Sequence, residues 1–207
     1  MLVAQFAIAR QDLNTINYAK IDLMSKVELR RSLLKKRKSL SQQEWREKSD
    51  RIVSHLLASP LLSPSKIILA YFSCRQEPDL NSLFHHHDRN WGLPRCVGAD
   101  LAWHVWKPGD EIQVGAYGIA EPLPTAPTIS PSAVDLILVP AVACDYRGYR
   151  LGYGGGYYDR LLSSPEWRSK PTIGIAFEFA YLPQLPTDPW DVPLHAVCTE
   201  EGLEARG

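Results

Sequence analysis

Two amphipathic helices are predicted early in the chain from the spacing of its apolar positions. Ser25-x-x-Glu28 and Ser41-x-x-Glu44 both have the form of a capping box, in which a serine and a glutamate bond the free backbone amides of a helix start. Apolar residues then recur at helical spacing, namely Val27, Leu33 and Leu34 after the first box and Trp45, Ile52, Val53, Leu56 and Leu57 after the second. Each helix is therefore expected to bury one face.

Short apolar runs rich in branched side chains predict buried strands further along. Residues 67–72, 135–141, 173–180 and 194–199 form such runs, and residues 101–106 alternate as a half-exposed strand does. A helix is expected between the first of these strands and the alternating one. This order of elements indicates an α/β fold, a three-layer sandwich with a mostly parallel central sheet and an antiparallel appendage.

The composition is that of a soluble globular enzyme. The chain has 207 residues, of which 45% are hydrophobic and 22% charged, and its 23 basic and 23 acidic residues give a net charge of zero. No overall field attracts nucleic acid or a membrane surface, so any anion site must be local. No apolar run approaches the roughly 18 residues that span a bilayer, and a cytoplasmic protein is expected.

Neither cysteine nor histidine patterns indicate a metal centre. The four cysteines are single and form no C-x-x-C pair, so we expect reduced thiols rather than a zinc site or a disulfide framework. Three histidines are consecutive at 85–87, but consecutive side chains point in different directions. Metal binding there is not predicted.

A glycine-dense loop follows the strand predicted at 135–141. Five of the nine residues from 148 to 156 are glycine, and residues 157–162 resume a helical pattern. Glycines allow positive φ angles and bring bare amides close to a ligand, and a loop that leads into a helix favours an anion. The loop contains neither a P-loop sequence nor a complete G-x-G-x-x-G, since Tyr157 stands where the last glycine belongs. A phosphate site of another kind is expected.

The residues around this loop carry a family resemblance. Pro140-Ala-Val-Ala-Cys-Asp145 and Gly148-x-Arg150-Leu-Gly-x-Gly-Gly-Gly-Tyr-Tyr-Asp159-Arg resemble the signature of 5-formyltetrahydrofolate cyclo-ligases, also called methenyltetrahydrofolate synthetases. Further matches are Lys26-x-x-x-Arg30, Tyr71-Phe-Ser-x-x-x-Glu77, Leu93-Pro-Arg95, Gly118-Ile-x-Glu121-Pro122 and Asp191. The resemblance spans residues 26–200. It leaves residues 1–24 as an extension expected to be dispensable, and residues 25–207 as a single cyclo-ligase domain.

The resemblance implies an ATP-dependent and Mg²⁺-dependent conversion of 5-formyltetrahydrofolate to 5,10-methenyltetrahydrofolate, with release of ADP and phosphate. The γ-phosphoryl group is expected to activate the formyl oxygen, so that no covalent protein nucleophile is needed. It also implies a fold similar to that of sugar-phosphate isomerases and CoA transferases. The substrate is a folate, with or without a polyglutamate tail, and the protein is expected to be a monomer or weak dimer.

The site residues implied by the resemblance fall into three groups. Those for ATP are Lys26, Arg30, Arg150, Leu151, Gly152, Tyr153, Gly154, Gly155, Gly156, Tyr157 and Tyr158. Those for the folate are Phe72, Glu77, Tyr153, Gly154, Gly155, Gly156 and Tyr157. Those for Mg²⁺ are Asp159 and Asp191, both hard oxygen ligands. Arg95 is a further candidate phosphate contact, whereas the basic residues 35–38 are predicted to be solvent-exposed.

Three positions depart from the family pattern, and two other functions stay open. His195 replaces a frequent acidic residue, Cys144 a common aromatic residue, and Gly155 a lysine found in some members. An enzyme similar to the isomerases or CoA transferases would need no ATP, and the pair Lys26 and Arg30 argues against it. A folate- or nucleotide-binding regulator would bind ATP without turnover.

Overall fold

Both N-terminal helices begin at the predicted capping boxes. The computed structural model describes residues 24–86 and 88–206, and within them the helices are α1 (Lys26–Lys38), α2 (Gln42–Leu57) and α3 (Tyr157–Ser163). In the first box the amide of Glu28 donates to the Ser25 hydroxyl at 3.3 Å, and the amide of Ser25 donates back to the Glu28 carboxylate at 2.9 Å. Ser41 and Glu44 make the same two bonds at 3.2 and 2.9 Å.

Twelve strands lie within the described residues. They are β1 (Ile67–Leu69), β2 (Asn90–Val97), β3 (Asp100–Trp106), β4 (Ile112–Val114), β5 (Ala120–Pro122), β6 (Leu136–Pro140), β7 (Ala143–Asp145), β8 (Arg150–Leu151), β9 (Thr172–Ile175), β10 (Tyr181–Leu182), β11 (Ala196–Thr199) and β12 (Gly202–Ala205). Seven of them form the central sheet in the order β12-β11-β9-β6-β1-β2-β3. The five inner strands are parallel and the two edge strands are antiparallel. The predicted α/β fold with a mostly parallel sheet is confirmed.

The sheet has a core on each face, because neighbouring residues of a strand point to opposite sides. Ile68 and Leu138 point into the core covered by α1 and α2, whereas Leu69 and Val139 point into the core covered by α3. All four side chains are fully buried. The three layers are therefore helices, sheet and helix with loops.

For the region before β3, the predicted helix is wrong and one strand was not predicted. The expected helix is a five-residue 3-10 turn, Asn81–His85, which buries only Leu83 and Phe84. An eight-residue strand, β2, occupies the following segment and leaves too little chain for a helix. That strand escaped prediction because Gly92 and Pro94 interrupt its apolar pattern.

The strand order places a crevice next to β1. The chain runs from β1 outward to β2 and returns on the other side of β1 to form β6. The connections after β1 and β6 therefore leave the sheet in opposite directions at their carboxyl ends, which is where open α/β sheets bind ligands. Residues 70–77 follow β1, and the hairpin of β7 and β8, which leads into the glycine loop, follows β6.

Asp145, at the end of β7, fixes the geometry beyond this hairpin. Its fully buried carboxylate accepts hydrogen bonds from the amides of Arg147, Tyr149 and Leu185 at 3.0, 2.9 and 2.9 Å. Two amides belong to the hairpin turn and the third to the proline-rich loop at 183–193. One carboxylate thus holds together the two segments that carry the candidate phosphate and metal residues.

Candidate active site

A cavity of about 420 Å³ opens at the crevice beside β1. It is lined by all fifteen predicted site residues, namely Lys26, Arg30, Phe72, Glu77, Arg150, Leu151, Gly152, Tyr153, Gly154, Gly155, Gly156, Tyr157, Tyr158, Asp159 and Asp191. They come from α1, the segment after β1, the glycine loop with α3, and the proline-rich loop. The fold therefore brings segments from both ends of the described chain to one place.

The glycine loop has the backbone that its sequence requires. Gly154 and Gly156 have φ angles of +100° and +70°, in the left-handed region that side chains disfavour. Arg30 of α1 supports the loop, because its Nε donates to the carbonyl of Gly152 at 2.7 Å. A side chain at Gly154 would lie 3.9 Å from the Arg30 guanidinium. The loop thus leaves bare backbone beside a cation.

Lys26 is the centre of an ion cluster in the wall of the cavity. Its ammonium group lies 2.6 Å from both Asp188 and Asp191. Asp191 also accepts the amide of Asp188 at 2.8 Å, which orders the loop that carries both acids. Burial lowers the pKa of Lys26, but the hydrogen bonds and charges of the two aspartates outweigh burial and raise this pKa above the ordinary value. Lys26 therefore remains a cation.

A second ion pair stands at the other side of the glycine loop. Arg150, whose side chain is almost fully buried, donates to the Asp159 carboxylate at 2.6 Å and to the Val192 carbonyl at 3.4 Å. The Asp159 side chain is 39% exposed and lines the cavity. A charge-assisted hydrogen bond of this length orients both groups.

The two carboxylates are of the chemical type that holds Mg²⁺ together with phosphate. Mg²⁺ prefers oxygen ligands and is commonly held by one or two carboxylates plus substrate phosphates and water. Asp159 and Asp191 offer such a pair on the cavity wall, each beside a cation that phosphate also attracts. Among residues 24–86 and 88–206 no group of three or more histidines, cysteines or acids is placed to hold a metal without such help.

Glu77 is a buried acid in the lining of the cavity. It is 3% exposed and accepts the amide of Cys74 at 3.0 Å, and its own amide donates to the Cys74 carbonyl at 2.9 Å. Between them Arg75 and Gln76 have φ angles of +50° and +57°, unusual for residues other than glycine. The carboxylate thus holds a strained turn, and it lies where a ligand with N–H donors would meet it.

The groups beside Glu77 are held protonated. Burial, reinforced by the charge of Glu77, raises the pKa of the Cys74 thiol to about 12 and raises the pKa values of Tyr71 and Tyr153. Burial followed by the same charge raises the pKa of Tyr158. The hydroxyl of Tyr158 is buried without a hydrogen-bond partner in the structure. The thiol and hydroxyl groups near Glu77 are therefore neutral donors.

Aromatic rings form the apolar wall. Phe72 meets Trp106 and Phe84 edge to face at centroid distances of 4.9 and 6.2 Å. On the opposite side the hydroxyls of Tyr117 and Tyr157 are 2.8 Å apart, which joins the loop after β4 to the glycine loop. Such walls suit a flat heteroaromatic ligand.

Several functional neighbours escaped the sequence analysis. Asp188 was missed although it lies in the same proline-rich loop as Asp191. Arg37 is 3% exposed, so the prediction that residues 35–38 are all solvent-exposed is wrong for it. The signal was present, since Leu29, Leu33 and Arg37 recur every four residues on one helix face. An arginine in that apolar stripe indicates a buried partner.

Several other residues considered from the sequence lie outside the cavity. Arg95, 3.4 Å from Glu121, does not line the cavity, and its role as a phosphate contact has no support. His85 and His86 are exposed, and His87 lies outside the described residues. His195 bonds Thr172 at 2.9 Å, away from the cavity, and burial followed by the charge of Arg206 lowers its pKa. Cys144 is likewise buried outside the cavity, so only Gly155, among the three departures, touches it.

In the described part of the chain no helix combines the length and apolarity needed to cross a membrane. Residues 1–23, the bulk of the predicted extension, lie outside the described residues.

Fold and site together define an α/β enzyme whose cavity joins anion-binding groups to a buried acid and an aromatic wall. The particular family follows from comparison: the profile of the 5-formyltetrahydrofolate cyclo-ligase family matches residues 22–200, and the chain belongs to this family. The resemblance stated from the sequence is thereby confirmed.

Individual similar proteins support this family membership. The chain is 29% identical to the 5-formyltetrahydrofolate cyclo-ligase of Haemophilus influenzae over 174 residues, covering 81% of this chain and 93% of that protein. Among solved structures, 5,10-methenyltetrahydrofolate synthetase of Aquifex aeolicus is 37% identical, with a TM-score of 0.78 over 88% of this chain and 93% of the other. The corresponding enzyme of Mycoplasma pneumoniae is 27% identical, with a TM-score of 0.69 over 86% and 99%.

Proposed function

We propose that the protein converts 5-formyltetrahydrofolate to 5,10-methenyltetrahydrofolate at the expense of ATP, with Mg²⁺ as the metal. Family membership over residues 22–200 carries the proposal. The cavity supports it, because cations on one side suit a triphosphate, and the acid Glu77 and the aromatic wall suit a pterin. ATP and folate would thus meet in one enclosed space.

Lys26, Arg30 and Arg150 serve the triphosphate in this proposal, together with the bare amides of the glycine loop. Their positions favour anions while the local net charge stays small, because Lys26 and Arg150 each lie beside a carboxylate. Asp159 and Asp191 would hold Mg²⁺, which supplies charge neutralisation on the phosphate oxygens. Phosphoryl transfer depends mainly on such positioning and neutralisation.

Glu77 and the aromatic wall orient the folate. A pterin presents N–H donors on its pyrimidine edge, and the carboxylate oxygens of the buried Glu77 are acceptors in the lining of the cavity. Phe72, Tyr153 and Tyr157 enclose the ring system. The formyl group would then lie between the pterin anchor and the triphosphate anchor.

The reaction balances without a covalent bond to the protein. The formyl oxygen attacks the γ-phosphorus and the bond to ADP breaks, which makes that oxygen a good leaving group. N10 then attacks the formyl carbon and loses its proton, and phosphate departs with the formyl oxygen. The residues of the cavity bind, orient and exclude water.

The test is a direct assay of the methenyl product by its absorbance. Protein is incubated with 5-formyltetrahydrofolate, ATP and Mg²⁺, and each component is omitted in turn. Product should form only in the complete mixture. Product without ATP would favour an isomerase-like or transferase-like reaction, and ATP binding without product would favour a regulator.

A further inference from the structure

Arg75 is a cation in the lining of the cavity that the proposed function leaves without a role. Four basic residues of the described chain line this cavity, and three of them already bond oxygen atoms of the protein. Lys26 and Arg150 lie beside carboxylates, and Arg30 donates to a backbone carbonyl. Arg75 is exposed, and its guanidinium carbon lies 5.5 Å from the centroid of the Tyr153 ring. Within residues 24–86 and 88–206, no acid pairs with Arg75.

The backbone that carries Arg75 is held in an unusual conformation. Arg75 and Gln76 have φ angles of +50° and +57°, and the Glu77 carboxylate closes the turn by accepting the amide of Cys74 at 3.0 Å. Strain of this kind persists only where the surroundings enforce it, and it is concentrated at ligand-binding sites. The turn brings two groups of opposite charge type to one cavity, since Glu77 is buried and Arg75 is exposed.

The Arg75 side chain has donors to offer to a ligand. A guanidinium group carries five N–H donors in a planar fork, and this fork matches the two oxygens of a carboxylate or a phosphate. No oxygen of the described residues accepts a hydrogen bond from the Arg75 guanidinium group, whose contact is with a ring. Its chemistry is therefore complementary to an oxyanion bound in the cavity.

The two substrates of the proposed function supply two kinds of oxyanion. The triphosphate of ATP already has Lys26, Arg30, Arg150 and the amides of the glycine loop. The carboxylates of the folate glutamate have no cation assigned to them. They lie at the opposite end of the folate from the pterin, and the exposed Arg75 suits this charged end as the buried Glu77 suits the pterin.

We propose that Arg75 binds an oxyanion of the substrates directly, and that this oxyanion is a carboxylate of the folate glutamate. Arg75 thereby sets the preference of the cavity for a folate with a charged tail over the same pterin with a neutral tail. The inference rests on the proposed function for the identity of the two ligands. It adds a specificity residue to the cavity and changes no step of the reaction.

The experiment measures dissociation constants by calorimetry for three ligands, each bound alone. They are 5-formyltetrahydrofolate, its diamide, in which both glutamate carboxylates are converted to neutral amides, and ATP with Mg²⁺. The wild type should bind the folate about five- to tenfold more tightly than the diamide, the range for a charged hydrogen bond at an exposed site. Arg75→Met should bind the folate and the diamide equally, with ATP binding unchanged.

Two further variants complete the comparison. Arg75→Lys keeps the charge without the planar fork and should recover part of the preference. Arg168→Met removes an exposed arginine that does not line the cavity, and it should match the wild type with every ligand. Methionine and arginine are both unbranched at Cβ, so Arg75→Met does not alter the backbone strain. Melting curves recorded for each variant should coincide with that of the wild type.

The diamide separates direct contact from an indirect effect. If Arg75→Met lost affinity equally for the folate and the diamide, the loss would act through the Tyr153 ring or the fold, and the proposal would be overturned. Unchanged binding of all three ligands would overturn it as well. A loss confined to ATP would keep Arg75 as an oxyanion-binding residue and assign it to phosphate.

The absorbance assay tests the proposed function separately. A wild type that prefers the folate over the diamide through Arg75 but forms no product refutes the proposed function alone. Product formation by a wild type whose preference survives in Arg75→Met refutes the role of Arg75 alone. A wild type that binds neither folate nor ATP refutes both.

Discussion

Replacing Lys26 by methionine tests the phosphate site most directly. Methionine keeps the apolar stem and removes the ammonium group that lies 2.6 Å from two aspartates. A hydrogen bond to a charged group contributes about 1.5–3 kcal/mol, so losing the phosphate contact should raise the Michaelis constant for ATP about ten- to a hundredfold. The constant for the folate should not change, because the Lys26 ammonium group contacts Asp188 and Asp191 and is assigned to phosphate rather than to the pterin.

The same change should lower stability moderately. The Lys26 and Asp191 side chains are only 26% and 11% exposed, so their ion pair is screened less than a surface pair, and we expect a loss of about 1–2 kcal/mol. For a chain of this length, that corresponds to a melting temperature lower by about 2–8 °C. The contribution of this ion pair to stability depends on pH. Because the pKa of Lys26 is raised, the contribution is fully present at neutral pH and is lost only as the pH rises through the raised pKa.

The control is Lys35→Met, an exposed position on the same helix, which should leave both quantities unchanged. The assay is steady-state kinetics with ATP varied at saturating folate, with melting curves recorded alongside. A lower melting temperature with an unchanged ATP constant would mean that Lys26 only fastens the proline-rich loop. That result would refute its assignment to phosphate.

Three further outcomes are expected. Asp159→Asn and Asp191→Asn should each raise the Mg²⁺ concentration needed for half-maximal rate. The double variant should be little worse than the more damaged single variant. Losses in kcat/KM that multiply would contradict a shared metal. A chain that begins at Met24 should melt and turn over as the full chain does, and a large loss of either would show that residues 1–23 are structural. Gln76→Gly should raise the free energy of unfolding in urea by about 1 kcal/mol, because glycine accepts the left-handed φ of +57°, whereas Gln76→Val should lower it.

Local signals were enough to predict most of the fold. Capping boxes located both N-terminal helices because they depend only on residues three apart, and β6 and β9 were visible as short branched runs. The strand β2 was not visible, because its neighbours β1 and β3 decide its conformation despite Gly92 and Pro94. A Cβ at position 92 would come within 2.4 and 2.6 Å of the terminal methyl groups of Leu69 and Ile129, so those side chains would have to shift. That information lies in packing between distant segments.

The residues of the candidate site also fall into those that local sequence signals identified and those that only the structure revealed. Residues in the contiguous motif from Arg150 to Asp159 were found from their pattern and line the cavity. Asp188 and Arg37 were missed because their importance arises from partners far along the chain. Arg37 contacts Tyr153 across 116 residues, and Asp188 contacts Lys26 across 162. Arg37 continues the buried stripe of Leu29 and Leu33, but it was predicted to be solvent-exposed, and its partner became visible only in the structure.

The ion cluster of Lys26 also bears on how the protein acquires function as it is made. Lys26 emerges from the ribosome early, whereas its partners Asp188 and Asp191 follow 162 and 165 residues later. Early segments fold while later ones are still being synthesised. Nascent chains stalled before Asp188 should therefore fail to retain ATP even if α1 and the glycine loop have formed. The wall of the cavity that contains Lys26 and Asp191 is complete only once the proline-rich loop has met the first helix.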